Sequence, residues 1–364
     1  MILSMTHPHP YIHMRRLRRS DLLRDLVAET HLSPAHFVAP LFVRRGENLR
    51  RPILSLPGQF QLSPDLALDQ LSEMAARGLK AYILFGVVDA DDKDEVGGHA
   101  HDPDNAVCTT LRLARDAGIS MLAITDLCYC EYTSHGHCGP LNNPLDETVP
   151  RPRLSGRRGE KRRLPTAPAF KSGQITVDNQ ATIELLAKQA VLHAQAGADI
   201  IAPSGMMDHA VGAIRQGLYA AGFNDKVILS YAVKYASSFY GPFREATGTT
   251  PQFGDRRSYQ MDFRRGSREA IREAMLDVQE GADIVMVKPG LAYLDILRCV
   301  SDAVPVPCAA YQVSGEYAML KAAAAAGAID EKQCVMEIMH AFRRAGASFI
   351  LTYYAMQMID WLSE

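Results

Sequence analysis

Eight short apolar runs recur along this chain, at residues 36–43, 80–87, 120–126, 199–203, 227–231, 283–288, 307–313 and 348–354. They are apolar without alternation, so each reads as a strand buried on both faces. Most follow a helical stretch that ends in a small-residue turn, as in ARGLK, DAGIS, QAGAD, EGAD and RAGAS. Glycine in such a turn lets the backbone leave the helix through the left-handed conformation. Amphipathic helices fit between the runs at 178–196, 267–280, 293–303 and 331–344. Eight buried strands alternating with helices predict an α/β fold with a parallel sheet covered on its outside. Eight is also the number that closes a TIM (β/α)8 barrel. A doubly wound open sheet is the alternative. Against it, no strand leads into a glycine-rich dinucleotide fingerprint.

The 364 residues suffice for such a barrel with extensions. Residues 1–33 read as an N-terminal arm, and 34–364 as the catalytic barrel domain. In the arm, Arg15, Arg16, Arg18, Arg19 and Arg24 are interleaved with Leu17, Leu22, Leu23 and Leu26. That pattern predicts a solvated or subunit-facing amphipathic segment. Two segments are too long for ordinary barrel connections. Residues 88–106 are polar and glycine-rich and predict a solvated surface loop. Residues 140–175 contain RPRLSGRRGEKRRLP, a basic insertion that cannot bury enough apolar surface to order itself cheaply. The formal net charge of −2 implies no general attraction to nucleic acid or membrane. No apolar run approaches the ~20 residues of a membrane helix. The first twenty residues place apolar side chains before charges, the reverse of a secretory signal, so a cytoplasmic setting is expected.

The residues with chemical potential gather at the C-terminal ends of the strands, where barrels carry their active sites. IVMVKPG places Lys288 at the mouth of the sixth strand, and Lys234 lies just past the fifth. Two lysines at matching ends of consecutive strands face one mouth. Burial and mutual repulsion lower their pKa values, and a neutral amine attacks ketones. After the third strand, Cys128, Cys130 and Cys138 lie within eleven residues with no obvious fourth protein ligand. Three thiolates describe a zinc site with an open, catalytic position; His135 and His137 are alternative ligands or outer partners. Beyond the fifth strand, GPFREATGTTPQFGDRRSYQ reads as a lid carrying Arg244 and Arg256, with Ser237 and Tyr240 close by. Two guanidiniums beside an amine nucleophile suit a substrate carboxylate. Tyr311, Ser314, Tyr353 and Tyr354 supply hydroxyls at the last two strand ends. Paired imine-forming lysines, thiolate-bound zinc and carboxylate grips imply condensation of two amino- or hydroxy-keto acids with loss of water. A class I aldolase-like lyase, which needs one imine lysine and no thiolate zinc, is the alternative enzyme. A zinc-binding scaffold that recruits nucleic acid through its basic segments is the non-enzymatic one.

The motifs CYCEYTSHGHCG, IAPSGMMD, SYAVKYASSFYGPFR, FGDRRSYQ, VMVKPG, YQVSGEYAML and FRRAGASFILTYYA closely resemble those of the porphobilinogen synthases, or 5-aminolevulinate dehydratases. The resemblance spans most of residues 30–362. It implies a TIM barrel whose N-terminal arm embraces a neighbouring subunit, in a homo-octamer built from dimers. It also implies a hydro-lyase that joins two 5-aminolevulinate molecules into porphobilinogen, in tetrapyrrole (haem) biosynthesis. By resemblance, Lys288 forms an imine with the second-bound, A-side molecule and Lys234 with the first-bound, P-side molecule. Cys128, Cys130 and Cys138 match the zinc ligands of the zinc-dependent branch, with Asp126 and Ser204 beside them. Arg244, Arg256 and Gln260 match the grip on the A-side carboxylate, and Ser314 and Tyr353 that on the P-side one. Glu273 matches a position that organises a regulatory magnesium. The basic insertion is a departure from the family pattern.

Overall fold

A computed structural model describes residues 13–142 and 176–364. Its eight barrel strands are β1 (Phe37–Arg44), β2 (Ala81–Val87), β3 (Leu122–Leu127), β4 (Ile200–Pro203), β5 (Val227–Lys234), β6 (Ile284–Lys288), β7 (Cys308–Gln312) and β8 (Phe349–Thr352). Each runs parallel to the next, and β8 pairs back onto β1 through Phe37↔Ile350 and Val38↔Leu351. That last pairing closes a TIM barrel and rules out the open sheet. All eight residues of β1 are buried, as a strand enclosed by its neighbours and an outer helix layer requires. Among the described residues, no helix is long and apolar enough to cross a membrane.

The local signals act as the sequence implies. Gly78, Gly118, Gly197, Gly281 and Gly346, one from each of the five small-residue turns, have φ between +67° and +121°. Asp178 and Asp330 accept the Ala181 and Gln333 amides, capping the helices Asn179–Ala196 and Glu331–Arg344. Three features depart from expectation. A hairpin, Arg50–Pro52 with Phe60–Leu62, adds to the C-terminal end of β1. Residues 88–106 are not simply solvated. Asp94 accepts the amides of Val96, Gly97 and Gly98, its backbone bridges to Thr133, and Lys93 Nζ donates to the Gly248 carbonyl. This segment clasps the cysteine loop. The proposed lid begins as a helix, Gly241–Thr247, in which Gly241 is itself right-handed. Most of the basic insertion and residues 1–12 lie outside the described residues. In the rest of the arm, the helix Asp21–Leu26 leaves Leu22 and Leu26 82% and 80% exposed.

One irregularity decides where a functional side chain points. β5 and β6 pair as Leu229↔Ile284 and Ser230↔Val285, then as Val233↔Val287 and Lys234↔Lys288. Three residues of β5 pass two of β6, which is a β-bulge. The Ser230 hydroxyl donates to Asp277 on the outer helix Ser267–Glu280 at 2.5 Å, so Ser230 faces outward. Strict alternation would put Lys234, four residues on, on that same outer face. The extra residue reverses the phase and turns Lys234 inward, level with Lys288.

The turn glycines differ in what surrounds them. A Cβ at Gly346 would lie 2.2 Å from Ser301 Oγ, whereas one at Gly118 would meet nothing within 4 Å. Gly118→Ala is therefore expected to cost about 1 kcal/mol, for the left-handed backbone alone. Gly346→Ala is expected to cost roughly 2–4 kcal/mol, because the steric clash adds to that backbone cost. Urea unfolding midpoints rank the two; equal midpoints would contradict this reading of the turns.

Candidate active site

Lys288 ends β6 and Lys234 ends β5, each 5% exposed. Lys234 is thus the last residue of its strand, not a residue beyond it. The Lys288 Nζ lies 4.5 Å from the Tyr311 ring centroid and 5.0–5.3 Å from those of Tyr231, Phe243 and Tyr240. Burial, then the charge of Lys234, brings the Lys288 amine down to about 7. Lys234 Nζ donates to the Ser204 carbonyl at 2.5 Å and lies 5.6 Å from the same Tyr231 ring. Ser204 in turn donates its hydroxyl to Asp126 at 3.1 Å. Burial and then Glu131 raise the Asp126 carboxyl to about 7, against the pull of both lysines. Lys234, Lys288, Asp126, Ser204, Arg244 and Arg256 all line one cavity, closed in part by Phe85 and Phe243.

The cysteine loop sits at the cavity edge, where Cys130 and Glu131 join the lining. The sulfurs of Cys128, Cys130 and Cys138 all lie within 4.8 Å of one another, with Cys128 and Cys130 3.3 Å apart. Sulfurs sharing one tetrahedral zinc at about 2.3 Å would be separated by similar distances, so the donor set fits that ion. Hydrogen bonds from Cys128 and Cys130 hold the Cys138 thiol well below its ordinary range, though burial opposes them. The two histidines are committed elsewhere. His135 bonds the Glu95 carbonyl and the His137 amide, while His137 bonds the Phe253 carbonyl and Tyr259. They shape the loop, and the three thiols remain the candidate metal ligands.

Arg256 is buried and donates to the Gly136 and Thr249 carbonyls. Burial would lower its guanidinium pKa, but the Cys138 and Cys130 sulfurs beside it raise the net value. Arg244 is half-buried, and Gln260 is buried. Arg244 Nε, Arg256 Nε and both amide atoms of Gln260 have no partner within the described protein. Buried donors of this kind suit a bound carboxylate.

The hydroxyls divide differently from expectation. Tyr240 spends its hydroxyl on the Tyr235 and Lys288 carbonyls, so only its ring faces the amine. Ser314 accepts the Phe243 amide and donates to the Phe239 carbonyl, stapling that segment rather than lining the cavity. Tyr311 donates to Tyr353 at 3.3 Å, behind Lys288. The Tyr354 hydroxyl reaches Glu331 instead. Glu273 lies on the outer helix, where burial and the carboxylates of Asp208 and Glu269 raise its pKa. Among the described residues, the cysteines form the one group of three candidate metal ligands, and Glu273 is not part of it. Sequence reading missed Glu131 and Tyr231. A lone carboxylate between buried cysteines and tyrosines was a legible signal for the first. The bulge concealed the second, because simple alternation sets Tyr231 and Lys234 on opposite faces.

The model for the family "Delta-aminolevulinic acid dehydratase" matches residues 11–153 and 168–361, leaving out the middle of the basic insertion. A delta-aminolevulinic acid dehydratase from Synechococcus elongatus is 47% identical over 349 residues, 96% of this chain and 98% of the relative. One from Mycobacterium tuberculosis is 45% identical over 356 residues, covering 98% of each. The Toxoplasma gondii enzyme, solved in complex with its reaction product porphobilinogen, superposes with a TM-score of 0.85. It is 41% identical, over 96% of this chain and 91% of that one. The closed barrel, the paired lysines and the cysteine triad thus occur in a chain that belongs to the delta-aminolevulinic acid dehydratase family.

Proposed function

We propose that this protein is a hydro-lyase that condenses two molecules of 5-aminolevulinate to porphobilinogen with loss of two waters. The observation that carries the reading is the register Lys234↔Lys288, which puts two buried amines side by side in one cavity. Each neutral amine attacks a ketone carbon, a C–N bond forms, and the carbonyl oxygen departs as water to leave an imine. The iminium nitrogen draws electrons from the neighbouring carbon and makes its C–H acidic. Asp126, hydrogen-bonded to Ser204 beside Lys234, is placed to exchange protons there. Arg244, Arg256 and Gln260 present unpartnered donors for a carboxylate. A zinc ion held by Cys128, Cys130 and Cys138 would supply a Lewis acid for a substrate amine or hydroxyl.

The geometry favours a different allotment of substrates from the one the sequence resemblance suggested. Lys288 stands over Tyr311, whose hydroxyl bonds Tyr353, the residue matched to the P-side grip. Lys234 stands against Ser204 and Asp126, and its charge helps hold down the Cys138 thiol. We therefore assign Lys288 to the P-side molecule and Lys234 to the A-side one, on the side of the cysteines that would hold a metal. Seven unpaired thiols fit a reducing cytoplasm, and the exposed leucines of the arm fit contact with a second subunit in a homo-oligomer.

Turnover of 5-aminolevulinate to a pyrrole, measured with and without added zinc, tests the function. Activity is expected to vanish on chelation and to return with zinc, while the far-ultraviolet spectrum stays fixed. No pyrrole under either condition would refute the assignment. Lys288→Arg is expected to lose at least about a thousandfold in kcat, since guanidinium stays protonated and forms no imine. Product formation within tenfold of wild type would remove Lys288 from the chemistry. The nucleophile is the neutral amine, which accumulates above its pKa. Borohydride trapping at Lys288 is thus expected to rise about tenfold per pH unit below 7 and to level off above it. Trapping that climbs steadily to pH ~10 would mark an ordinary lysine.

A further inference from the structure

Glu316 belongs to the motif YQVSGEYAML, but none of the steps above uses it. It is 0% exposed, in the first turn of the helix Ser314–Ala325, and makes no ion pair among the described residues. Its hydrogen bonds all run to backbone amides. Oε2 accepts the Val313 amide at 2.9 Å; Oε1 accepts Leu291 at 2.9 Å and Ala292 at 3.4 Å. Leu291 and Ala292 begin the turn that follows Lys288-Pro289-Gly290. Burying a carboxylate costs several kcal/mol, and here three N–H groups and the helix N-terminus are what offset it. The two outcomes are close in energy: burial lifts the Glu316 carboxyl to about 7 despite those bonds.

The carboxylate bridges two segments that each meet the site. The Lys288 carbonyl is already held from the β5 side, by the Tyr235 amide at 2.9 Å and the Tyr240 hydroxyl at 3.1 Å. Glu316 holds the same loop from the β7 side. The fit there is tight, since a Cβ on Gly290 would come within 2.9 Å of the Tyr311 carbonyl oxygen and closer still to Phe342. Two residues before Glu316, Ser314 staples Phe239 and Phe243, and Phe243 is one of the rings around the Lys288 amine. Lys234, by contrast, is fixed by Ser204, and among the described residues the hydrogen bonds of Glu316 do not reach it.

Resting on the reading that the lysines form imines, we propose that Glu316 is a positioning residue that fixes the backbone after β6 and so aims the Lys288 amine, but not the Lys234 amine, at its ketone. Imine formation needs the nitrogen within about 3–3.5 Å of the carbonyl carbon and aligned with it, so a loosened loop slows it without weakening substrate carboxylate contacts.

The test is Glu316→Gln, which keeps the shape but turns one acceptor into a donor facing an N–H. Full-length protein is incubated with labelled 5-aminolevulinate, reduced with borohydride and mapped at both lysines, with steady-state kinetics alongside. Label at Lys288 and kcat are each expected to fall about tenfold, with label at Lys234 within twofold and KM within threefold of wild type. Glu316→Asp, which keeps the charge but withdraws from the 290–292 loop, is expected to show the same selective loss and serves if the glutamine variant does not fold. Unchanged label in a folded variant, or equal loss at both lysines, overturns the proposal. So does failure of both variants to fold, which would make Glu316 a folding requirement. Wild-type protein with no label at either lysine overturns the imine reading itself.

Discussion

Two amines share one enclosed, partly apolar cavity, and the cost of charging both there governs what surrounds them. An ammonium withdrawn from water carries a penalty of several kcal/mol, whereas each aromatic face returns about 0.5–2 kcal/mol. At Lys288, burial and the neighbouring Lys234 charge outweigh what its aromatic rings return, so the balance tips toward the neutral amine. Asp126 sits on the other side of the same balance, a buried carboxyl that two lysines keep partly ionised. The carbonyl of Ser204 holds Lys234, its hydroxyl holds Asp126, and the cysteine loop follows Asp126 directly. The candidate nucleophile, the candidate proton carrier and the candidate metal ligands are thus joined by short links across three neighbouring strands.

The barrel itself was legible because its signals are local and repeated. Five glycines were read as left-handed exits from helices, and all five have positive φ. The eight apolar runs became eight strands with ends shifted by a few residues. The hairpin after β1 was not legible, since its short strands show no apolar run and their pairing with β1 is a tertiary contact. The clasp at 88–106 was read as solvent-facing from its polarity. Its polarity instead serves its own turns, with Asp94 satisfying three amides.

Several side chains that line the candidate site were legible in the sequence, but their roles less so. Lysines, cysteines and arginines advertise themselves by being charged or reactive near strand ends. Which way each points depends on register, and a single bulged residue reverses the outcome for Lys234. Hydroxyl groups were the least readable. Tyr240 and Ser314 spend theirs on backbone atoms that hold the framework, a choice only the folded chain reveals. Metal binding at Glu273 depends on what its own fold places beside it, and that is chiefly other carboxylates.

The central claim is that two inward-facing nitrogens serve one shared cavity. A crystal structure of the protein soaked with a linear dicarboxylic acid bearing two ketones tests it most directly, because such a ligand can satisfy both amines at once. The account predicts continuous density from Lys234 Nζ and Lys288 Nζ into a single ligand, with one carboxylate against Arg244 and Arg256. Nitrogens pointing into separate pockets, or Lys234 turned to the outer face of the barrel, would contradict it.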